Sequence, residues 1–215
     1  MAHLIQLMYQ AHTTPSFEFD HEPDSMPFFG FSAGRWIDPE RMPVSAHQTD
    51  KKKIHDIFPM PGLKAVNHRF REVVEHFEPG VHQFFPLKLF HKDGTPVDGE
   101  FFIFNCTISV DTLLVNRSDV DWSTYKGRNA GKPFVKAHFD YTWVLSRPAI
   151  GQRHVWCGDK IPAIGTFVSD ELHAALKGRK IRYFNEKYCE EVDEPWIAEE
   201  NIKLQLDWEA ENPTG

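Results

Sequence analysis

The chain has 215 residues, the length of one domain, and a chain of this size buries roughly 70% of the surface that it exposes when unfolded. Hydrophobic residues make up 41% of the sequence and charged residues 26%. This composition excludes a collagen-like fibre, a coiled coil and a chain that is disordered throughout. Apolar runs such as residues 101–104 are far shorter than the ~20 residues of a membrane-spanning helix, so no membrane partner is expected.

The formal net charge of −7 is unevenly distributed. Residues 186–211 contain ten Asp and Glu residues and two Lys residues, a net charge of −8, so the rest of the chain is close to neutral. An acidic segment repels phosphates and attracts basic surfaces, so we expect no nucleic-acid partner and favour a basic protein. The alternative is a solvated tail that only keeps the protein in solution.

The cysteines and the N-terminus indicate where the protein is found. Three cysteines cannot all pair within the chain and they form no CxxC motif, which favours a reducing compartment. The N-terminus has neither the basic region nor the long apolar core of a signal peptide. We therefore expect a cytoplasmic protein.

Elements can be predicted in chain order, weakly at first. Residues 1–62 show little periodicity, and short strands are expected near 4–9 and 28–37. A helix over 67–78 is much better marked, because Asn67 can cap it and its apolar residues have i, i+3, i+4, i+7 spacing. This buried stripe comprises Phe70, Val73, Val74 and Phe77.

Two strands that form a hairpin are predicted to follow, at 83–90 and 101–108. Pro86 lacks an amide hydrogen, so it places the first strand at an edge or at a bulge. The second strand is apolar on both faces over 101–104, which is typical of a central strand.

The longest alternation of apolar and polar residues covers 135–145 and predicts one long strand with Val135, Phe139, Tyr141 and Trp143 buried. Shorter strands are expected at 153–156, 161–164 and 181–184. A second helix is capped by Ser169, buries Leu172 and Leu176, and is closed by Gly178. Helices between runs of strands predict an α+β domain with a mainly antiparallel sheet and a few helices packed on it.

Motifs for catalysis are missing from the sequence. There is no GxSxG, no GxxxxGK[ST], no GxGxxG and no HExxH among the twelve histidines, so neither a cofactor nor a catalytic residue is assigned. Two alternatives stay open. His138 and Asp140 are two residues apart and would need a third metal ligand, and Cys157 would need a histidine brought to it by the fold.

Four segments in this order resemble the Imm11 immunity family of bacterial polymorphic toxin systems: NHRFREVVE at 67–75, EPGVHQFFP at 78–86, GEFFIFN at 99–105 and FVSDEL at 167–172. The resemblance implies a family-like core at 63–185, between an irregular N-terminal region at 1–62 and an acidic C-terminal segment at 186–215. It also implies a protein without enzymatic activity that binds a cognate toxin and blocks its active site. No catalytic residue is implied.

Because specificity is expected outside the shared core, the acidic segment supplies the candidate partner-binding residues. Tryptophan is enriched at interface hot spots, and charges around it steer association. These residues are Glu190, Glu191, Glu194, Trp196, Trp208 and Glu209. Alternation over 202–208 predicts a strand, which leaves the alternative that this segment packs on the domain itself. A hydrolase or transferase at Cys157 or at His138 and Asp140, and a self-assembling protein, are the other hypotheses.

Overall fold

The computed structural model describes residues 1–7, 12–20, 34–127, 130–136, 140–158, 165–182 and 184–213. The described residues form thirteen strands, which in chain order are β1 (Ala2–Leu7), β2 (Phe17–Phe19), β3 (Ser45–Gln48), β4 (Ile57–Met60), β5 (Leu63–Asn67), β6 (Gln83–Phe90), β7 (Phe101–Asn105), β8 (Trp122–Thr124), β9 (Pro133–Val135), β10 (Val144–Ser146), β11 (Val155–Trp156), β12 (Thr166–Ser169) and β13 (Phe184–Val192). The α-helices are α1 (His68–Phe77), α2 (Arg147–Ile150), α3 (Asp170–Gly178), α4 (Ala198–Asn201) and α5 (Lys203–Glu211).

The strands make two main sheets and a separate hairpin. The five-stranded sheet has the order β10-β13-β1-β12-β11, the six-stranded sheet has the order β2-β3-β6-β7-β5-β4, and β8 pairs with β9. The pairs β10–β13 and β3–β6 are parallel, and the other described strand pairs are antiparallel. The prediction of an α+β fold with a mainly antiparallel sheet is confirmed.

Three clusters of buried side chains hold these layers together. The first contains residues of both sheets together with α1 and α3, among them Ile5, Phe104 and Leu172. The second contains Leu4 and Trp156 from the opposite face of the five-stranded sheet. A third cluster lies on the other face of the six-stranded sheet. Both sheets are therefore covered on both faces over much of their area.

The first predicted helix is confirmed with its cap. The Asn67 side chain accepts a hydrogen bond from the amide of Phe70 at 3.1 Å, which satisfies one of the free N–H groups at the helix start. The predicted hairpin is also confirmed, with β7 in the interior of its sheet. Among the described strands, β3 joins β6 only from Lys88 onwards, so Pro86 lies along a part of β6 with one neighbour.

The prediction of one long strand over 135–145 is wrong. β9 ends at Val135, the described residues 140–143 have no strand geometry, and β10 begins at Val144. Trp143, Val144 and Leu145 are consecutive and all buried, so the alternation does not continue through them. The two short strands pair with different partners, β8 and β13. Phe139 lies outside the described residues.

Three other strand predictions are also wrong where they can be judged. Residues 34–37 and 181–182 are not strands, and β13 begins at Phe184. The 202–208 segment is helical, because it lies almost wholly in α5. Lys180, with φ of 57°, takes the left-handed conformation that follows α3, and the amide of Ile181 donates to Leu176 there. The proposed strand at 161–164 and residues 28–33 lie outside the described residues.

Candidate functional site

The acidic segment begins inside a sheet. β13 lies between β10 and β1 in the five-stranded sheet. Lys187 and Cys189 are buried on one face of β13, whereas Glu186, Tyr188 and Glu190 are exposed on the other. The interpretation of the whole segment as a solvated tail is therefore wrong.

Tyr188 is the centre of the exposed face of β13, with 54% of its surface accessible. Its ring meets His3 edge to face, with 6.0 Å between centroids, and His3 stacks on His173 at 3.7 Å. Glu186 accepts hydrogen bonds from His173 at 2.6 Å and from Lys177 at 3.0 Å. Burial alone would raise the pKa of Glu186, but these two bonds outweigh it and lower the pKa.

Two of the candidate carboxylates are engaged within the domain. Glu191 is only 10% exposed, and it lies 3.1 Å from the amino nitrogen of Met1 and 3.4 Å from Arg147 Nε. Glu194 forms an ion pair with Arg117, and its carbonyl oxygen accepts a hydrogen bond from the Ser146 hydroxyl. These contacts fix the chain as it leaves β13.

Trp196 packs on the domain itself. Its indole N–H donates to the carbonyl oxygen of Leu113 at 3.1 Å. Its ring lines a narrow cavity together with Trp122 and Ile202. A half-buried indole with a satisfied N–H is typical of packing within a domain.

α5 is attached to the turn between β8 and β9. Gly131 there has φ of 86°, and a Cβ atom at this position would lie 3.0 Å from Trp208 Nε1. Glu209 lies 3.6 Å from Lys132 Nζ and accepts a hydrogen bond from Gln205 at 3.0 Å. Trp208 and Glu209 therefore hold the helix in place.

The opposite side of α4 and α5 faces solvent. Asn201 is 1% exposed and its side chain accepts a hydrogen bond from the amide of Val115 at 2.7 Å, so it anchors α4. Ile197 and Leu204, in contrast, are 40% and 50% exposed. The exposed carboxylates of this region are Glu199, Glu200, Asp207 and Glu211. We use the name acidic face for two exposed groups of residues in the acidic segment. Tyr188 and Glu190 lie on the outer side of β13, and Ile197, Leu204 and these four carboxylates lie on or beside α4 and α5.

A buried hydrogen bond between a carboxylate and an imidazole lies within EPGVHQFFP and was not predicted from the sequence. Glu78 Oε2 is 2.5 Å from His82 Nε2, and Glu78 Oε1 accepts hydrogen bonds from the amides of His154 and Val155. Burial alone would raise the pKa of Glu78, but these hydrogen bonds outweigh it and hold the pKa below its ordinary value. The four-residue spacing of Glu78 and His82 is the feature of the sequence that could have indicated this contact. The pair joins the end of α1 to β11, so its role is structural.

The described residues do not support either catalytic alternative, the one at Cys157 or the one at His138 and Asp140. Cys157 is buried, and its sulfur donates to the carbonyl oxygen of Ile108 at 3.1 Å, with no histidine among its hydrogen-bonding partners in the described residues. His138 lies outside the described residues, and Asp140 is exposed. Within the described ranges, no group of three or more His, Cys, Asp or Glu side chains is placed to hold a metal ion.

A comparison with family models decides the affiliation. The model described as "Immunity protein family (Imm11)" matches residues 5–187. The chain belongs to the Imm11 immunity protein family. No curated protein matches the chain.

The Imm11 match begins in β1 and ends inside β13, so it includes residues of the N-terminal region as well as both sheets. The chain that follows the match includes Tyr188, Glu190, α4 and α5, so every residue of the acidic face lies beyond the match. Among the described residues, no helix is long and apolar enough to cross a membrane.

Proposed function

We propose that this Imm11 protein binds one cognate bacterial toxin domain and neutralises it by covering the toxin's active site. The observation that carries the proposal is the family match over residues 5–187. Steric occlusion requires only a complementary surface, which agrees with a sequence that lacks known catalytic motifs.

The acidic face is the proposed contact surface. It lies beyond the family match, where a feature that distinguishes one cognate toxin from another is expected. Tyr188, Ile197 and Leu204 supply exposed apolar area, and aromatic residues are enriched at interface cores. The surrounding carboxylates form the polar rim.

Charge indicates the kind of toxin. Residues 186–211 carry a net charge of −8, which attracts a basic protein and accelerates its association. We therefore propose a basic toxin domain as the partner, contacted directly by Glu190.

The other five candidate residues have supporting roles in this proposal. Their side chains are engaged within the domain, where they hold β13, α4 and α5 in position. They are Glu191, Glu194, Trp196, Trp208 and Glu209. Truncating one of them would weaken toxin binding indirectly, because it would change the shape of the contact surface.

The test is co-purification with the product of the neighbouring toxin gene, followed by calorimetric titration of variants. Tyr188→Ala combined with Glu190→Gln, and separately Leu204→Ser, should each weaken toxin binding at least tenfold, about 1.4 kcal/mol. Matched controls on distant exposed positions are Glu100→Gln and Val44→Ser, since Val44 is 70% exposed. These controls should retain full affinity.

Two outcomes would count against the proposal in different ways. Failure of any neighbouring toxin to co-purify or to be neutralised contradicts the immunity function. Tight binding that the Tyr188, Glu190 and Leu204 variants leave unchanged contradicts only the position of the surface.

A further inference from the structure

Two of the three cysteines meet in the core, although 51 residues separate them in the sequence. Cys106 directly follows β7 of the six-stranded sheet, and Cys157 directly follows β11 of the five-stranded sheet. Both sulfur atoms lie within hydrogen-bonding distance of the same atom, the Ile108 carbonyl oxygen, at 3.5 Å and 3.1 Å. The pair therefore lies where the two sheets are joined.

The surroundings lower the pKa of the Cys157 thiol. A hydrogen bond from Cys106 lowers the pKa of Cys157, as does the amide of Gly34 to a smaller extent. The same hydrogen bond, with burial, raises the pKa of Cys106. Gly34 can bring its amide this close because it has no side chain, since a Cβ atom there would overlap Ser109.

A buried lysine, Lys64, adjoins the two thiols. Lys64 Nζ donates to Thr166 Oγ1 at 2.8 Å and lies 5.5 Å from the centre of the Phe104 ring. Burial lowers the pKa of Lys64, whereas its interactions with the thiols of Cys106 and Cys157 oppose that change. A nearby ammonium group stabilises a thiolate and makes it a better nucleophile.

We propose that Cys106 and Cys157 are a redox site at which hydrogen peroxide forms an intramolecular disulfide. The Cys157 thiolate attacks a peroxide oxygen, the O–O bond breaks, and hydroxide leaves, so that the sulfur is oxidised to a sulfenic acid. The Cys106 sulfur then displaces the sulfenic hydroxyl, which leaves with the Cys106 proton as water. The sulfur atoms lose two electrons in all, and the peroxide is reduced. The disulfide links the two sheets covalently.

Cys189 is the internal control. It is fully buried like Cys106, but burial raises its pKa to about 12, so it stays a thiol. In the described part of the chain, its sulfur donates to the carbonyl oxygen of Lys187 at 3.8 Å. Burial alone therefore predicts similar reactivity for Cys106 and Cys189, whereas a paired site predicts oxidation at Cys106 and Cys157 only.

The test treats the folded full-length protein with hydrogen peroxide and maps peptides by mass spectrometry without reduction. The expected product has lost about 2 Da, contains a Cys106–Cys157 cross-linked peptide and keeps Cys189 as a thiol. Its thermal midpoint should rise by at least about 5 °C and return on reduction. The variants Cys106→Ser and Cys157→Ser should show no such rise, whereas Cys189→Ser should behave as the wild type.

Recovery of all three thiols, oxidation of Cys189 at the same rate, or sulfinic acid at Cys157 without a cross-link would each overturn the proposal. The wild-type peptide map decides these outcomes even if a variant fails to fold. No toxin takes part in the experiment, so its result is independent of the proposed immunity function.

Discussion

Glu78 and His82 are four residues apart in the sequence, and their side chains form a buried hydrogen bond with 2.5 Å between Oε2 and Nε2. The amide of Thr107 donates to Nδ1 of His82, so the ring presents Nε2–H to the carboxylate. Glu78 also accepts hydrogen bonds from the amides of His154 and Val155, at the start of β11. One carboxylate therefore joins the end of α1 to the five-stranded sheet.

Removing this carboxylate should destabilise the fold. Glu78→Gln is expected to lower the free energy of unfolding by about 2 kcal/mol, because it replaces hydrogen bonds to a buried carboxylate with weaker bonds to a neutral amide. Urea denaturation followed by circular dichroism measures the change. Glu72→Gln on the exposed face of α1 is the matched control and should change stability by less than about 0.5 kcal/mol. Equal effects of the two substitutions would contradict the structural role of Glu78.

Stability should also depend on pH through Glu78. Its pKa in the folded protein lies below the ordinary value of 4.5, so the unfolded state binds the proton more readily. Its contribution to stability is therefore fully present above that ordinary value and is lost as the pH falls through the folded pKa. The difference between wild type and Glu78→Gln should be constant from pH 7 to 6 and shrink in acid. A difference that grows in acid would contradict this assignment.

The contact between Trp208 and Gly131 can be isolated with a pair of glycine variants. Gly131 and Gly94 have nearly equal φ angles of 86° and 85°. Among the described residues, a Cβ atom added at Gly131 would meet the Trp208 ring, whereas one added at Gly94 would meet no atom within 4 Å. Gly94→Ala should cost about 1 kcal/mol from backbone strain alone, and Gly131→Ala about 1 kcal/mol more. Thermal unfolding gives both values. Equal losses would mean that the indole moves aside freely.

Cys157 should not be needed for protection against the toxin. Cys157→Ser, if it folds as the wild type does, is expected to keep toxin affinity and cell protection within about twofold, which is less than 0.5 kcal/mol. Survival of cells that express the toxin is the measurement. Loss of protection by a folded Cys157→Ser variant, with unchanged toxin affinity, would support the catalytic alternative instead.

Salt should weaken toxin binding if the acidic face meets a basic partner. The association rate should fall between about 50 mM and 500 mM salt, as screening shortens the range of electrostatic attraction. Surface plasmon resonance separates this rate from dissociation. Glu199→Gln combined with Glu200→Gln should flatten the salt dependence, and Glu100→Gln should leave it as in the wild type. A salt-independent rate would contradict charge steering.

Features determined by neighbouring residues could be predicted from the sequence. The Asn67 cap, the apolar stripe of α1 and the β6–β7 hairpin all depend on spacing within a few residues. The wrong prediction of a strand over 135–145 could not have been avoided from the sequence. Apolar and polar residues go on alternating there, although β9 ends at Val135. The role of Trp196 could not be assigned either, since its hydrogen-bond acceptor, Leu113, is 83 residues away.

The position of β1 has a consequence for biosynthesis. β1 pairs with β12 on one side and with β13 on the other, so β1 is synthesised well before both of its partners. Such pairings between distant segments slow folding, because the chain loses conformational entropy on closing a long loop before the stabilising contacts between the strands form. The five-stranded sheet can therefore be completed only after β13 has been synthesised. A nascent chain arrested before residue 184 leaves the N–H and C=O groups on one edge of β1 unpaired, and it should depend on chaperones until synthesis resumes.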